Sequence, residues 1–136
     1  MIGRTMTALL AGALLAAPVA AQRPDRAQPP ETPAMAQMRE MHQHMERLML
    51  SLAETNQWME QHRAREQFQA MGQQMEQAGE RLREMLRQMD RLHQDPELAG
   101  DRDRLRDMDR LRDRLRDMTR DLDQAHDALR KMIHKS

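Results

Sequence analysis

The sequence predicts an all-α fold, either an antiparallel helical hairpin or a three-helix, coiled-coil-like bundle. Leu, Met, Arg, Gln, Glu and Asp dominate the chain, and charged residues make up 32% of it, which is typical of long helices with charged outer faces. Apolar residues recur at three- and four-residue steps, the spacing of one helix face. The single Trp, the single Phe and the absence of Tyr predict a thin core with little aromatic area.

The first 21 residues predict export. Arg4 precedes an apolar run at residues 7–17, and Val19 and Ala21 fit a small-residue cleavage site. We therefore interpret residues 1–21 as a signal peptide that is removed after Ala21. The apolar run is too short to span a bilayer comfortably, and no later segment is apolar enough to do so. The sequence thus predicts a periplasmic protein that has no membrane span after signal cleavage.

Two regions are predicted after the signal peptide. Residues 22–32 are rich in proline and predict a flexible tether. Residues 33–134 form a Met-rich helical domain, with helices predicted at about residues 33–53, 57–93 and 101–133. Thr32 can cap the first helix, and Pro33 suits the first helical position because that position needs no backbone donor.

The break between the first two helices is predicted from a mismatch of phase. The apolar frames of residues 34–52 and 64–92 both step by four and three, but their phases differ by two residues. Residues 51–54 fit a capping box, so we predict a bend or tight turn within residues 51–62. Because that segment contains no Gly or Pro, one continuous helix with a local phase shift is the alternative.

The turn before the third helix has the clearest signal. Pro96 would clash with a continuing helix, and Asp95 caps a short turn that starts there. Folding the chain at both turns predicts one layer that contains Met38, Met71, Met75 and Met118. Gly72 and Gly79, inside the second helix, are interpreted as tolerated surface glycines, and close approach of a neighbouring helix is the alternative.

The third helix is expected to pack through its apolar residues. The sequence RDRLRDM at residues 102–108 recurs at residues 112–118, and its opposite charges three residues apart predict a solvated face. The predicted core positions are Leu105, Met108, Leu111, Leu115, Met118, Leu122, Ala125, Leu129 and Met132. Three helices with so few aromatics bury little area, so we also expect a homodimer along the exposed side.

Residues 35–49 hold the densest set of candidate metal ligands. On a helix Met38, Met41 and Met45 share one stripe, and further donors flank it. Thioether sulfur is a soft ligand that suits Cu(I) or Ag(I), and imidazole adds a stronger donor. We therefore predict a soft-metal site formed by Met35, Met38, Met41, His42, Met45 and Met49. The alternative is that methionine only fills a helical core, because it adapts to irregular gaps.

Other functions are excluded or disfavoured by composition. The chain has no cysteine, and no nucleophile, HExxH, EF-hand or phosphate-loop motif is present, so we expect no enzyme. Lys+Arg and Asp+Glu number 22 each, whereas nucleic-acid binding needs excess basic charge. A b-type haem between Met38 and His126 is a remaining alternative, although it normally requires a wide four-helix bundle.

The signal peptide, the proline-bearing tether and the run MREMHQHM at residues 38–45 resemble Met-rich periplasmic stress and metal-resistance proteins, including the Spy-type chaperones. The resemblance covers the layout of residues 1–133 and does not extend to the LTxxQ motifs of Spy-type proteins, which this sequence lacks. It implies binding or buffering of Cu(I) or Ag(I) in metal resistance or envelope stress. The alternatives are an ATP-independent chaperone or adaptor for unfolded or partner proteins, and a purely structural coiled coil.

Overall fold

The computed structural model describes residues 30–135, which form three α-helices and no strand. The helices are α1 (Pro33–Gln61), α2 (Glu66–His93) and α3 (Arg102–His134). They belong to one compact unit that begins at Glu31, and every pair of helices is in contact. The predicted all-α class is therefore confirmed. Within residues 30–135 no helix is both long and apolar enough to cross a membrane. The predicted signal peptide and most of the tether lie outside the described residues.

Local sequence signals set the start of α1 and α3. Thr32 Oγ1 accepts a hydrogen bond from the backbone N–H of Met35 at 3.2 Å. Asp101 caps α3, because its Oδ1 accepts from two backbone N–H groups of the first turn at 3.0 and 3.2 Å. Between α2 and α3, Asp95 Oδ1 accepts from the N–H of Glu97 at 2.9 Å. The predicted N-cap of α1 and the predicted turn after α2 are both confirmed.

The turn between α1 and α2 lies later than predicted. α1 continues to Gln61 instead of ending at about residue 53, and α2 begins at Glu66 instead of about residue 57. The predicted capping box at residues 51–54 does not interrupt the helix. Within the continuous α1, the Thr55 hydroxyl donates to the Ser51 carbonyl at 2.9 Å. The alternative of one continuous helix is also wrong, because four residues separate the two helices.

Arg63 explains where α1 stops. Its φ of 50° lies in the left-handed region, and the next N–H, that of Ala64, donates to the carbonyl of Met59 at 2.9 Å. This bonding pattern is a common C-terminal helix motif, and the left-handed position in it is usually glycine. An arginine at that position gives no stop signal, so the sequence pattern could not locate this turn.

α3 buries four of its nine predicted core residues, Met108, Leu115, Leu122 and Leu129. Its buried residues step by four and three: Met108, Arg112, Leu115, Thr119, Leu122, His126, Leu129 and Ile133. Four other predicted core residues are instead 37%, 46%, 45% and 40% exposed: Leu105, Leu111, Met118 and Met132. The prediction failed because three of the buried positions are polar, and a frame built from apolar residues skips them. The predicted layer with Met118 is consequently not formed.

Arg112 is an unfavourable member of this core. Its side chain is 10% exposed, and its Nη2 pairs with Asp109 Oδ1 at 2.9 Å, while Nε and Nη1 have no hydrogen-bond partner. A buried polar group without a partner costs about 1–3 kcal/mol. We therefore expect Arg112→Met to raise the free energy of unfolding in urea by about 1–3 kcal/mol. Arg116→Met, on the exposed side, is the control and should change it by less than about 0.5 kcal/mol. A loss of stability in Arg112→Met would contradict the prediction.

Gly72 and Gly79 lie against α1, so their interpretation as surface glycines is wrong. Both are buried. A Cβ added to Gly79 would clash with Met49 Sδ, and one added to Gly72 would clash with Asn56 Oδ1 and lie 2.5 Å from Met59 Cε. Side chains of α1 thus fill the space that a Cβ would need: Met49 at Gly79, and Asn56 with Met59 at Gly72. The alternative of close helix approach is confirmed.

We expect Gly79→Ala to destabilise the protein, although alanine is favoured over glycine in a helix by about 1 kcal/mol. The added Cβ must displace Met49, which is 8% exposed. In a Met49→Ala background the nearest remaining neighbour is Leu122 Cδ2 at 3.6 Å, so the same change should stabilise. Urea unfolding of this double-mutant cycle should give a coupling of about 0.5–3 kcal/mol. Gly100→Ala, which meets open space, is the control, and zero coupling would contradict the packing described.

The core follows the three helices in two clusters. The larger cluster joins all three helices and includes the predicted stripe Met38, Met41 and Met45. The smaller one consists of Met59, Leu129 and Ile133, with Trp58 and Phe68 packed against it. Methionine is unbranched and flexible, so it can fill the irregular gaps between packed helices. The core therefore uses most of the methionines of α1 as packing residues.

Candidate metal-binding groove

A groove of about 650 Å³ opens between the first turns of α1 and the last turns of α2. On the α1 side Met35, Met38 and His42 line it, and on the α2 side His93 and Asp90 do so. The two segments meet because the short turn between α1 and α2 folds them antiparallel along their whole length. The groove therefore brings two thioethers, two imidazoles and the Asp90 carboxylate together at one end of the bundle, where Glu31 is also a lining residue.

Asp90 orients one of these imidazoles. Nε2 of His42 lies 2.5 Å from Oδ2 of Asp90, and the two side chains are 29% and 39% exposed. An ionised carboxylate only accepts hydrogen bonds, so Nε2 carries the proton and Nδ1 keeps its lone pair when the ring is neutral. A carboxylate that fixes the tautomer of a histidine in this way is typical of metal ligands.

The charge of the groove favours a cation of low charge. Arg39 Nη1 donates to both carboxylate oxygens of Glu31 at 2.7 Å, so these two lining charges cancel. The pair is exposed and contributes little to stability. Asp90 remains as the single uncompensated charge among the lining residues when the histidines are neutral. One negative charge beside neutral sulfur and nitrogen donors matches a monovalent soft ion.

The six residues predicted as metal ligands divide into two groups. Met35, which is 59% exposed, and His42 line the groove together with Met38, which is 4% exposed. The other three lie in the core at 5%, 0% and 8% exposure: Met41, Met45 and Met49. The structure thus places half of the predicted set along the groove, with Met38 at its buried inner wall. The other half faces neighbouring helices.

His93 and Asp90 are the residues of the groove that the sequence prediction missed. A turn placed at residues 51–62 pairs the start of α1 with Met71 and Met75. The observed turn, after Gln61, moves the partner of this segment to the end of α2, where Asp90 meets His42. The register of α1 and α2 was therefore the missing information, and a correct end for α1 would have supplied it.

Comparisons with protein-family models, with curated proteins and with solved structures found no match to this chain. The resemblance to Spy-type and related proteins therefore rests on the layout of the sequence alone.

A second group of polar residues surrounds His126, where α3 packs on α1. His126 is 1% exposed, and its Nε2 lies 2.8 Å from Thr55 Oγ1. Thr55 is roughly 25 Å along α1 from Met38 at 1.5 Å per residue. Met38 and His126 therefore lie at different levels of the bundle, and the alternative of a haem held by this pair is wrong.

We expect the stability of the metal-free protein to fall as the pH drops below 6.5, the ordinary pKa of His126. Burial lowers the pKa of His126 and Arg130 lowers it further, while Asp127 and Asp123 act in the opposite direction. As the pH falls, His126 is therefore protonated in the unfolded chain before it is protonated in the folded protein. Its contribution to stability is fully present above pH 6.5 and decreases toward the folded pKa by up to about 1.4 kcal/mol per pH unit.

Urea unfolding at stepwise pH measures this dependence. The control is His126→Gln, because glutamine keeps an N–H that can donate toward Thr55 but does not titrate. The other histidines contribute equally to both proteins, so the difference between the two curves isolates His126. An identical pH dependence in wild type and His126→Gln would contradict the prediction.

Proposed function

We propose that the protein binds a soft monovalent ion, Cu(I) or Ag(I), in the groove between α1 and α2. It would buffer or relay this ion outside the cytoplasm, in metal resistance or envelope stress. The observation that carries the proposal is the convergence of Met35, Met38, His42 and His93 on one open groove. Thioether ligands select Cu(I) over harder cations, and neutral imidazole completes the coordination of such an ion.

The exposure of the donors supports the groove over the core as the binding site. Met35 is 59% exposed and Met38 is 4% exposed, so an ion that enters past Met35 can reach Met38 at the inner wall. Met45, at 0% exposure, is enclosed by packed side chains and could be reached only by opening the bundle. Because the chain has no cysteine, thioether and imidazole are its softest donors.

The Cu(I) affinity of the metal-free protein tests the proposal, measured by competition with a chromophoric Cu(I) chelator. The groove variant is Met35→Leu/His42→Gln/His93→Gln, which removes three donors with little change of volume. Loss of a residue that only supports a metal ligand lowers metal affinity by about 10–100-fold. Because this variant removes three ligands, we expect its Cu(I) affinity to fall by more than that. Far-UV circular dichroism should show unchanged helicity, because none of the three side chains is buried.

The matched control removes the same kinds of donor outside the groove, as Met71→Leu/His62→Gln/His134→Gln. All three of these residues are exposed, and none lines the groove. We expect the control to keep the wild-type Cu(I) affinity. Equal losses in the groove variant and the control would show that binding is diffuse and would overturn the proposal.

A second candidate function, an ATP-independent chaperone or adaptor, is favoured by exposed apolar stripes on two helices. Leu111, Met118 and Met132 are 40% or more exposed and lie at multiples of seven residues on α3. Met71 and Leu92, on α2, are 38% and 39% exposed and are also separated by a multiple of seven. Residues at this spacing form one stripe, exposed apolar surface marks interaction sites, and flexible methionines re-pack against varied partners.

Suppression of client aggregation, in the presence of a Cu(I) chelator, tests this second function. The variant Leu111→Gln/Met118→Gln should lose the suppression, while the groove variant should keep it. The same stripe would also carry the expected homodimer, which sedimentation of wild type and variant measures. Suppression of equal strength in both proteins would exclude the α3 stripe as the client surface.

A further inference from the structure

A compact group of donors lies on α3, away from the groove. Asp123, His126 and Asp127 each place one ligand atom within 4.8 Å of the others. Residues separated by three and four positions share one face of a helix, which explains why the three side chains converge. Two of the donors are carboxylates and one is an imidazole, a set that binds divalent cations better than Cu(I).

α1 adds a fourth donor to this group. Nε2 of His44 lies 3.1 Å from Oδ2 of Asp123, and the two side chains are 45% and 40% exposed. A surface cavity of about 340 Å³ lies beside them, lined by both residues and by Arg47, Leu48 and Ser51. The group therefore joins two helices, and its His44 and Asp123 side is open to solvent.

Hydrogen bonds with α1 hold the buried imidazole in one tautomer. Thr55 Oγ1 lies 2.9 Å from the Ser51 carbonyl and 2.8 Å from His126 Nε2. A carbonyl only accepts, so the hydroxyl proton of Thr55 is donated to Ser51, and Nε2–H of His126 donates to the hydroxyl oxygen. Nδ1 of His126 then carries the lone pair. A partner that fixes the tautomer and orientation of the ring is typical of histidine metal ligands.

The carboxylates of this group differ from three other acids of α3 that are paired with arginine. Asp107, Asp109 and Asp113 each pair with an arginine three residues later, at 2.9–3.5 Å. Within residues 30–135 neither Asp123 nor Asp127 forms an ion pair with an arginine; Asp123 contacts His44 instead. At Asp123 the position three residues later is His126. Two carboxylates thus remain close together without a paired guanidinium, an arrangement that a bound cation would stabilise.

We propose that His44, Asp123, His126 and Asp127 form a binding site for a divalent cation of borderline softness, of the Zn(II) class. Two imidazoles and two carboxylates match the nitrogen and oxygen donors of tetrahedral Zn(II) sites, where ligands lie about 2.0–2.2 Å from the metal. Ligand atoms around such an ion are about 3.4 Å apart. The His44–Asp123 pair already has about this separation, and the three α3 donors, within 4.8 Å of one another, would move closer on binding. This site shares no residue with the groove and does not depend on it.

Zn(II) affinity of the metal-free protein tests the proposal, with Co(II) as the spectroscopic probe. The variant Asp123→Asn/Asp127→Asn should weaken Zn(II) binding by at least about 100-fold and remove the intense visible bands of tetrahedral Co(II). The variant His44→Gln, at a half-exposed position, should weaken binding by about tenfold or more and change the Co(II) bands. Far-UV circular dichroism confirms that each variant keeps its helices.

Two control variants separate this site from other acids and from the groove. Asp107→Asn/Asp113→Asn removes the same charge from exposed positions of α3 and should keep the wild-type Zn(II) affinity. His42→Gln/His93→Gln removes the imidazoles of the groove and should also keep it. Unchanged Zn(II) affinity in Asp123→Asn/Asp127→Asn, or loss of Zn(II) binding in either control, would overturn the proposal. None of these results depends on Cu(I) or Ag(I) binding in the groove.

Discussion

Replacing Met45 by alanine should lower the free energy of unfolding by about 2–5 kcal/mol, whereas replacing it by leucine should cost less than about 1.5 kcal/mol. Met45 has 0% exposure and belongs to the main core cluster. Alanine leaves a cavity between the three helices, and leucine conserves the volume of methionine. If Met45 acts only as a packing residue, Met45→Leu should also keep the wild-type Cu(I) affinity. Urea unfolding followed by far-UV circular dichroism measures the stabilities.

Met118→Ala is the matched control for this comparison. Met118 is 45% exposed, so its truncation should change the free energy of unfolding by less than about 0.5 kcal/mol. Truncation of Met45 that costs no more than truncation of Met118 would contradict the description of the core. A Met45→Leu variant that folds normally but loses Cu(I) affinity would show that the predicted core methionines act as ligands.

Ag(I) should raise the thermal stability of the protein through the groove. An ion that binds the folded chain at a concentration one hundred times its dissociation constant stabilises it by about 2.7 kcal/mol. For a domain of this size, such a gain raises the melting temperature by about 10–20 °C. The bound ion would connect the first turns of α1 to the last turns of α2, at the end of the bundle opposite the turn between these two helices. Thermal unfolding with and without Ag(I) measures this effect.

Comparison of the groove variant with its control shows where the stabilising Ag(I) ion binds. Met35→Leu/His42→Gln/His93→Gln should show little or no rise in melting temperature with Ag(I). Met71→Leu/His62→Gln/His134→Gln should retain the full rise. A similar rise in both proteins would place the stabilising Ag(I) ions elsewhere and would exclude the groove as the principal site.

The sequence predicted well those features that depend on local chemistry. The helical period, the cap at Thr32, the turn at Asp95 and the buried stripe of Met38 to Met45 depend on spacing and on short-range hydrogen bonds, which the residues themselves specify. Arg63 shows the limit of this reasoning. Its left-handed backbone ends α1 without glycine, because surrounding hydrogen bonds and packing of α2 against α1 decide the turn.

The face of α3 shows a second limit. Apolar residues occupy two neighbouring stripes of this helix, and spacing alone does not say which stripe faces α1 and α2. The structure buries the stripe that contains Thr119 and His126, whose polar atoms find partners in Leu115 and Thr55. Contacts of α3 with α1 and α2 determine which stripe is buried, so the periodicity of α3 alone could not predict it.

The candidate sites follow the same division. Met35, Met38 and His42 were identified from their residue types and spacing on one helix. His93 joins them only through the register of α1 and α2, and the group around His126 requires the packing of α3 on α1. The spacing of residues along α1 therefore identified the candidate donors that α1 contributes to the groove. The donors that α2 contributes could be identified only from the tertiary structure.

An Ag(I) titration of protein with methyl-labelled methionine, followed by NMR, shows whether a soft ion binds in the groove, in the core or at scattered surface methionines. If the ion binds in the groove, the methyl resonances of Met35 and Met38 should shift first and saturate together. Those of Met45 and Met59 should remain in place, because these side chains are enclosed. Shifts at Met71 and Met118 as large as those at Met35, or no shift at Met35, would show that the groove is not the binding site.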